Sequence, residues 1–581
     1  MNSEASKPEQ VSTPRRHEPP EARQRLPMVC WYEPGQLIRT ARQVLVSTLF
    51  GQNADPRLME ALDVEANGPF RDYAARDSIT VDYVSDTGDG WNSTYAVAYW
   101  CSQRALRLRD PKGKQHLTAR GDVLILGGDE VYPTASGREY ERRLLEPFAT
   151  ALGWTDENRE GPYPPHPHVF AVPGNHDWYD SLVAFTRLFV QKDWFAGWQA
   201  PQRRSYFALE LPHGWWLVGV DVQLGSRIDE PQLEYFESVA KQMGPGAKII
   251  LCNAEPLWVY EAELQGTAHA ERLERSNLWY LEERIFRRQV RVWLAGDLHH
   301  YRRHASADGS RQKITAGGGG AFLHPTHKWL ETPLPGGYAL KESFPKPWAS
   351  WRLTFRNLGF PFLNRRFGVL TAVLYLLLNW NLKVDLMPFP FSDWWLALGQ
   401  ATHQTFVTAG AATWVALILG GFLLFTDTTR RWYRFVGGLA HGAAHILAAF
   451  FLGWCAARLA HGLCFTWLSP GHLALSAVIT FGGGWLVGSA IVGLYLLVSL
   501  NLVGRHHNEA FSSLAIQDYK NFLRLRIDPN GNLVIFPVGI RRVPRRWLSV
   551  AGAAEDEAQL APAPGQGTAP HLIEEPIVVK A

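Results

Sequence analysis

Cysteine and net charge are both scarce in this chain of 581 residues, and each scarcity excludes a class of protein. The five cysteines are scattered without CxxC spacing, which argues against a disulfide framework or a structural zinc site and fits a reducing compartment. The formal net charge is only +3, and no basic stripe carries interleaved aromatic residues, so we expect no nucleic-acid partner. The polar N-terminus lacks the apolar core of a secretory signal peptide. We therefore expect residues 1–28 to be a disordered leader.

Charged residues are also sparse in residues 367–503, where long apolar runs take their place. A bilayer core about 30 Å thick needs about 20 apolar residues per helix, and these runs approach or exceed that length. Tryptophan is found near the ends of the runs, where amphipathic rings prefer the headgroup region. Helices buried in a large soluble core are the alternative, but such helices rarely reach this length without a charge. We predict four transmembrane helices, at residues 367–382, 405–426, 435–457 and 473–503.

Lysine and arginine are unevenly distributed around these predicted helices. They concentrate before the first helix, between the second and third, and after the last, whereas the other two loops hold only Lys383 and Arg458. Because positive loops stay in the cytoplasm, we predict a multi-pass protein of the cell inner (plasma) membrane with both soluble parts cytoplasmic. Residues 346–366 mix Trp and Phe with basic residues, which fits either an interfacial helix or an ordinary linker. His441 and His445 share one helix face, and together with His403 they could bind a haem or metal, or they could hydrogen-bond neighbouring helices.

The chain after the apolar runs has less distinct secondary-structure patterns. Residues 504–549 contain two strand-like runs joined by Asp528-Pro529-Asn530-Gly531, a strong hairpin turn, so we expect a small cytoplasmic β-rich segment there. Residues 550–581 are rich in Ala, Pro and Glu and are predicted to be a disordered tail. The predicted organisation is completed by a soluble domain at 29–345 and by an interfacial segment with the four-helix membrane region at 346–503.

In the soluble domain, short β-branched apolar runs alternate with helical patterns, which predicts an α/β architecture. Each run is followed at once by polar residues or glycine, and strand ends in such sheets converge on one edge, so these side chains can build one shared site. Carboxylate, amide and imidazole groups suit hard or borderline metal ions. Two such ions about 3.5–4 Å apart can clamp a phosphate and generate a hydroxide at neutral pH. The polar residues after successive runs are Asp86, Asp129, Asn175, His176, Asp177, Glu255, Asp297 and His299.

Four motifs occur in the order and spacing of a known family. They are Asp86-x-Gly88, Gly128-Asp129-x-x-Tyr132, Gly174-Asn175-His176-Asp177 and Gly296-Asp297-x-His299. Over residues 79–326 the sequence resembles the calcineurin-like metallophosphoesterases. The resemblance implies a four-layered αββα sandwich of two mixed sheets, here followed by a bundle of about four transmembrane helices. Gly88 and Tyr132 look most like the purple acid phosphatase branch, in which the first motif has Gly in place of a His ligand and the second supplies a Tyr.

By this resemblance, a first metal ion would be bound by Asp86, Asp129, Tyr132 and His299. A tyrosinate ligand would favour trivalent iron, because a phenolate needs a strong Lewis acid to lose its proton near neutral pH. The alternative is that Tyr132 is only a core residue at the end of a strand.

The second metal ion would be bridged by Asp129 and bound by Asn175, with two departures from the family pattern. Asp297 stands where the family has a His, and Glu255 lies beside the position of another family His, which Asn253 or Ala254 takes here. Oxygen ligands make this position harder, so Mn²⁺, Mg²⁺ or Ca²⁺ fits it, and a weak or empty position stays open. The implied cofactors are two metal ions, iron together with manganese, zinc or magnesium.

The resemblance also implies a chemistry. His176 would face the phosphate or the leaving group as a general acid or oxyanion stabiliser, and Asp177 would orient and charge its imidazole; alternatively, His176 only supports the ligands. We therefore expect a membrane-anchored, metal-dependent phosphoric ester hydrolase that cleaves a phosphate ester or pyrophosphate with a metal-bound hydroxide. Its partners would be a phosphorylated small molecule or a lipid-linked phosphate, and a homo-oligomer stays open. The alternative function is a degenerate domain that senses a ligand and signals through the membrane helices.

Overall fold

The apolar runs of the first half form two sheets that pack face to face. Val81 and Ile125 of one sheet share a buried cluster with Leu217, Ile250 and Leu294 of the other. Helices cover the outer face of each sheet and pack against separate apolar clusters. The computed structural model therefore confirms the predicted α/β class. The structure describes residues 25–50, 68–153, 167–222, 228–263, 277–287, 289–327, 333–382, 393–426, 431–551, 553 and 556–581.

The strands of the described residues form two large mixed sheets and two small pairs. In chain order they are β1 Ile79–Val84, β2 Ala105–Arg109, β3 Gln115–Ala119, β4 Val123–Leu126, β5 His168–Ala171, β6 Trp194–Phe195, β7 Trp198–Gln199, β8 Phe207–Glu210, β9 Trp215–Val220, β10 Lys248–Asn253, β11 Val290–Ala295, β12 Tyr301–Ala305, β13 Gln312–Ala316, β14 Ala339–Phe344, β15 Lys520–Ile527, β16 Leu533–Ile540, β17 Trp547–Ser549, β18 Leu560–Pro562, β19 His571–Leu572 and β20 Ile577–Val579. The first sheet has the order β19-β16-β15-β1-β4-β5-β7-β6, with β20 also on β16, and the second has the order β14-β12-β13-β11-β10-β9-β8. The parallel strands β1, β4 and β5, and β9, β10 and β11, bring their carboxyl ends together where the predicted ligands lie.

The longer helices fall into two groups, one around the sheets and one in the apolar region. The helices of the first group are α1 Pro34–Phe50, α2 Trp91–Ser102, α3 at 137–152, α4 at 183–190, α5 Glu230–Gln242, α6 Leu257–Glu263 and α7 at 277–285. Those that follow are α8 Pro347–Leu363, α9 Arg365–Leu382, α10 Trp394–Val407, α11 Ala409–Phe425, α12 Arg431–Gly462, α13 Pro470–Val503 and α14 His507–Ser512.

The segment after the apolar region is an integral part of the first sheet, which differs from the separate β-rich segment that the sequence predicts. The predicted hairpin at residues 528–531 is present, and β15 pairs antiparallel with β1, opposite Ile79 to Tyr83. Arg524 is fully buried and forms a bidentate ion pair with Asp82, with Nε–Oδ1 2.6 Å and Nη2–Oδ2 2.9 Å. A buried ion pair of this kind leaves a costly uncompensated charge if either partner is absent. The sheet is thus built from both ends of the chain.

The structure also differs from the predicted disordered tail. Residues 571–572 and 577–579 extend the first sheet by pairing with β16, and Ile577 and Val579 turn inward into its core. Glu574 also forms an ion pair with Arg303 of β12. Strands of two or three residues are too short to show hydrophobic periodicity, so they could not be recognised in a segment rich in Ala and Pro. The predicted leader up to residue 24 and the Lys383 loop lie outside the described residues.

The apolar region forms a helical bundle, and α12 and α13 are each long and apolar enough to cross a membrane. The pair α8 and α9 is bent by 63° and the pair α10 and α11 by 99°; if each pair counts as one span, the number rises to four. The sequence predicts four spans, and the structure contains two to four candidate spans by length and composition. Because β1 and β15 are hydrogen-bonded to each other, the chain before the bundle and the chain after it meet in one sheet.

Candidate metal centre

Three of the predicted ligands follow buried strands in an unusual backbone conformation. Asp86 after β1, Asp129 after β4 and Asp297 after β11 have φ values of 58°, 51° and 61°. A positive φ is uncommon for residues other than Gly, although Asp is among those that tolerate it best, and such residues cluster at functional sites. Each left-handed residue turns the chain sharply at the edge of the sheet. The three carboxylates are thereby brought to one place.

Two motif glycines allow this close approach. A Cβ on Gly296 would lie 1.9 Å from Ser85 Oγ and 2.2 Å from Asp86 Oδ2. A Cβ on Gly174 would lie 2.0 Å from Asp129 Oδ1. The backbone of each motif therefore packs directly against the carboxylate of another, which only glycine permits.

The hydroxyl of Tyr132 is the centre of the first predicted ligand set. It lies 3.0 Å from Asp86 Oδ1, 3.0 Å from Asp129 Oδ2 and 2.9 Å from His299 Nε2. His299 Nδ1 donates to the carbonyl of Phe322 at 2.7 Å, so in the neutral ring Nε2 carries no proton. Metal-binding histidines are commonly held through their other nitrogen in this way. The structure brings Asp86, Asp129, Tyr132 and His299 together.

These four donors fit a cation better than they fit each other. One phenol proton cannot satisfy two carboxylates and an unprotonated imidazole at the same time. Donor atoms about 2.0–2.2 Å from a common ion are roughly 3 Å apart when they are neighbours, which is the separation seen around Tyr132. Among the described residues, no group of three or more His, Cys, Asp and Glu side chains alone makes a metal site. The phenol oxygen of Tyr132 is the atom that contacts all three of the other predicted ligands.

Burial sets the electrostatics of this first position. It raises the pKa of both Asp86 and Asp129 well above the usual range of a carboxyl, and Asp297 adds to the effect on Asp86. Burial, followed by the charge of Asp129, also raises the pKa of Tyr132 well above its ordinary value. The phenol therefore keeps its proton unless a nearby cation stabilises the phenolate. A trivalent ion would provide that stabilisation most strongly.

The second predicted ligand set is more open. The side-chain amide of Asn175 lies 3.1–3.2 Å from both carboxylate oxygens of Asp129. The amide can donate from its NH₂ group to Asp129, or it can present its oxygen to a cation held there. Asp297 accepts a hydrogen bond from Tyr260, and its backbone N–H donates to Asp86 Oδ2 at 2.9 Å. These contacts place Asn175 beside Asp129 and Asp297 beside Asp86.

Glu255 belongs to the same open region. Burial, and then the charge of Asp297, raises the pKa of Glu255 to about 8. Besides burial, the charges of Glu255 and Asp297 both raise the pKa values of Tyr179 and Tyr260. The donors predicted for the second ion are all oxygen atoms, and no imidazole is among them.

The structure separates His176 from Asp177. The His176 Nδ1 donates to the carbonyl of Pro133 at 2.7 Å, which leaves Nε2 free beside Tyr132, with ring centroids 4.4 Å apart. Burial lowers the pKa of His176 to about 4, so the ring is neutral before a phosphate arrives. Asp177 instead accepts hydrogen bonds from the backbone N–H groups of Gly174 and Glu130 and from Tyr140. Its position stabilises the loop and does not orient the imidazole, contrary to the expectation from sequence.

Sequence reasoning missed three side chains next to these ligands. Trp31 packs edge-on against Tyr132 and His176, with centroid distances of 6.2 and 6.0 Å. Lys520 of β15 is fully buried and donates to the carbonyl of Ala321 at 2.6 Å, and burial lowers its pKa to about 8. Tyr260, which bonds Asp297, is the third. Only Tyr260 had a usable signal, because it follows the β10 strand end in the same stretch as Glu255.

Residues 79–301 match the family model described as calcineurin-like phosphoesterase, so the chain contains a domain of that class. The match covers less than half of the chain. No curated protein is similar enough to count as a match.

The solved structures that match this chain resemble it only weakly. GAP50, the anchor in the inner membrane complex of Plasmodium, is 12% identical, with 42% of this chain and 74% of that chain covered and a TM-score of 0.31. Purple acid phosphatase PPD1 from yellow lupin (Lupinus luteus) seeds is 14% identical, with 43% and 46% covered and a TM-score of 0.29. PhoD is 10% identical, with 44% and 59% covered and a TM-score of 0.27. This chain thus spans less than two thirds of the last two, and the likenesses are too weak to assign a function.

Proposed function

We propose that this chain is a membrane-anchored, metal-dependent phosphoric ester hydrolase that cleaves a phosphate ester or a pyrophosphate. The proposal depends mainly on the hydroxyl of Tyr132. Its oxygen lies within 3.0 Å of acceptor atoms of Asp86, Asp129 and His299, although it has only one proton to donate. Two metal ions held there and at Asn175, Asp297 and Glu255 would supply a hydroxide and neutralise charge on a phosphate. Iron at the first position, with manganese, zinc or magnesium at the second, fits the donor types.

The chain's own residues supply the proton chemistry in this proposal. His176 is held through Nδ1, so Nε2 is the atom that exchanges a proton with the leaving oxygen. A bound phosphate dianion would favour the protonated ring, because an opposite charge nearby stabilises the charged form. Asn175 and His176 are only partly buried, whereas Asp86 and Asp129 are buried, so a substrate would approach from the side of this loop.

The membrane location is also a proposal, and the surface of the bundle supports it. Many large apolar side chains on α9 to α13 are exposed, including Trp395 at 76%, Phe406 at 84% and Leu502 at 79%. Apolar exteriors of this extent mark contact with a membrane or a partner. We propose a multi-pass protein of the cell inner membrane with both soluble parts in the cytoplasm. Reporter fusions at the N-terminus and after Arg505 should both report cytoplasm, and an external signal from either would contradict this.

The hydrolase proposal is tested with the full-length protein in detergent. The protein is stripped of metal, reloaded with Fe³⁺ plus Mn²⁺, Zn²⁺ or Mg²⁺, and assayed on p-nitrophenyl phosphate, its diester and pyrophosphate. We expect hydrolysis that requires metal and about two ions per chain. Absence of turnover from protein that holds two ions would contradict the proposal.

A regulatory, ligand-sensing domain coupled to the helices is the second candidate. The oxygen ligands Asp297 and Glu255 support it, because Asp297 stands where the family has a His and Glu255 lies beside the position of another family His, so the second ion would lack imidazole ligands. A content of one ion or none, together with phosphate binding but no turnover, would favour this function.

A further inference from the structure

The candidate metal centre lies close to the helical bundle. Trp31, whose ring contacts those of Tyr132 and His176, also packs against Phe322 at 5.8 Å. The next residue, Tyr32, packs edge-on against Phe360 of α8 and Phe367 of α9, at 5.0 and 5.6 Å. Consecutive Cα atoms are about 3.8 Å apart. A single peptide unit therefore joins the surroundings of the centre to the helices that begin the bundle.

A second connection runs through the opposite side of the centre. The carbonyl of Phe322 accepts the hydrogen bond from His299 Nδ1. The ring of Phe322 belongs to a buried cluster that includes Phe360 of α8 and Leu496 and Leu500 of α13. The ligand His299 is thus held by a residue that packs in the same apolar cluster as the end of the last long apolar helix.

Helix α8 presents an apolar stripe that the described residues leave about half exposed. Its exposed large side chains, Trp348, Trp351, Phe355, Leu358 and Phe362, are 43–61% exposed and recur every three or four residues. That spacing places them on one face. The opposite face, with Ser350, Thr354, Asn357 and Phe360, is buried against the protein.

The charge and direction of α8 fit a lipid surface as the cover of this stripe. The exposed basic side chains at 346, 352, 356, 365 and 366 lie along α8 and at its two ends. Helix α8 also continues into the apolar helix α9 through a bend of 63°. An amphipathic helix with basic flanks that leads into a span typically lies in the headgroup layer, where its apolar face is buried about 5–10 Å into the boundary with the acyl chains.

Helix α1 supports the same arrangement on the side of the site entrance. It contacts both the turn Asp177–Asp180, which follows His176, and helix α9. Its exposed residues include Leu37 at 40% and Ile38 at 71%. The loop through which a phosphate would enter is therefore in contact with a helix that also contacts the bundle and carries exposed apolar side chains.

We infer that α8 lies on an anionic lipid surface and holds the candidate centre at headgroup level, so that its substrate is a phosphate carried by a membrane lipid. This inference rests on the proposed hydrolase function and names its substrate class. A lipid phosphate at that level reaches the centre while its chains stay in the bilayer. In the reaction, a water oxygen bonds to phosphorus, the bond from phosphorus to the ester oxygen breaks, and a proton passes to the leaving alkoxide.

The test compares substrates with the same headgroup. Full-length protein in phosphatidylcholine–phosphatidylglycerol vesicles is assayed on phosphatidic acid and on glycerol 3-phosphate, with p-nitrophenyl phosphate as a soluble reference. We expect kcat/KM for phosphatidic acid to exceed that for glycerol 3-phosphate at least ~100-fold, since only the lipid is concentrated at the interface. Equal values would overturn the inference. If the protein hydrolyses neither these two substrates nor p-nitrophenyl phosphate, the hydrolase proposal itself has failed.

Variants then test the role of α8. In detergent-purified protein returned to vesicles, Trp351→Glu with Phe355→Glu should lower kcat/KM on phosphatidic acid about tenfold, because charged groups are costly in the boundary layer. The rate on p-nitrophenyl phosphate should stay within about twofold of wild type. Leu117→Glu is the matched control, because Leu117 is 68% exposed on β3 of the soluble domain. An equal fall on both substrates, or no fall on either, would count against the inference.

A second measurement avoids charged substitutions, which could cause misfolding. In protein whose exposed Cys30 and Cys464 are replaced by Ser, a nitroxide is attached at Phe355→Cys or at Leu117→Cys. In vesicles, the label at 355 should be relaxed more by oxygen than by a water-soluble nickel chelate, and the label at 117 should show the reverse. Relaxation of the 355 label mainly by the nickel chelate would place α8 in water and overturn the inference.

Discussion

The two predicted metal positions share Asp129 but differ in almost every other respect. At the first, Asp86, Tyr132 and His299 are at most 4% exposed and their donor atoms already lie at ligand spacing. At the second, Asn175 and Asp297 are partly exposed, and the Asn175 amide has a competing hydrogen-bonded orientation. A preorganised, buried set binds its ion with little rearrangement, whereas an open set of oxygen donors must be ordered by the ion. We therefore expect a tightly held ion at the first position and an exchangeable one at the second.

Substitution of the shared ligand Asp129 should weaken metal binding at both positions. We expect Asp129→Asn to eliminate measurable turnover and to reduce metal content at both positions, because the bridging carboxylate loses its charge. Metal analysis and kcat on p-nitrophenyl phosphate test this. Glu237→Gln on the exposed face of α5 is the matched control. Full metal content and full rate in Asp129→Asn would contradict the shared-ligand assignment.

The adjacent residues His176 and Asp177 should respond differently to substitution. His176→Ala should keep its metal but lose about 10²–10⁴-fold in kcat, the usual contribution of a general acid or base. Asp177→Asn should act mainly on the free energy of unfolding, lowering it by about 1–3 kcal/mol, because buried N–H and O–H groups lose a charged acceptor. Paired kcat and thermal-unfolding measurements separate the two effects. A lower kcat in Asp177→Asn at unchanged Tm would return Asp177 to a role in orienting the imidazole.

The second position can be strengthened selectively. Asp297→His restores an imidazole at the edge of the sheet, so affinity for Zn²⁺ at the weaker position should rise roughly tenfold relative to Mg²⁺. Titration of protein that already holds one ion measures this. The change should leave the first ion in place, since the Asp297 contact to Asp86 is made by the backbone N–H. Unaltered metal preference would mean that Asp297 does not face the second ion.

The smallest expected effect concerns the phenol of Tyr132. With iron at the first position, ligand-to-metal charge transfer from a phenolate should give a visible absorption band. Tyr132→Phe should remove the band while Tm changes little, because only one hydroxyl is lost. We expect kcat to fall less than in His176→Ala. A colourless iron-loaded wild type would leave Tyr132 as a packing residue and weaken the case for a preorganised first position.

The sequence was informative wherever a residue's position on a strand determines its surroundings. Asp86, Asp129 and Asp297 each follow a recognisable apolar strand, and carboxyl ends of parallel strands must meet. The orientation of Asp177 was not predictable in the same way, because its side chain turns to backbone N–H groups that the fold places there. The short strands of the tail were hidden for a related reason. Their pairing with β16 is specified by tertiary contacts, whereas the local pattern carries no periodicity.

The pairing of β1 with β15 has a consequence for the synthesis of this protein. Arg524 completes the buried charge of Asp82, 442 residues earlier in the chain. At roughly 5–20 residues per second, about 20–90 s separate the emergence of the two partners from the ribosome. During that interval, while the apolar helices are being synthesised, β1 lacks its partner strand β15 and the carboxylate of Asp82 lacks its cation. The nascent domain therefore cannot complete its first sheet before the bundle has been made, and truncation before β15 should yield aggregation-prone protein.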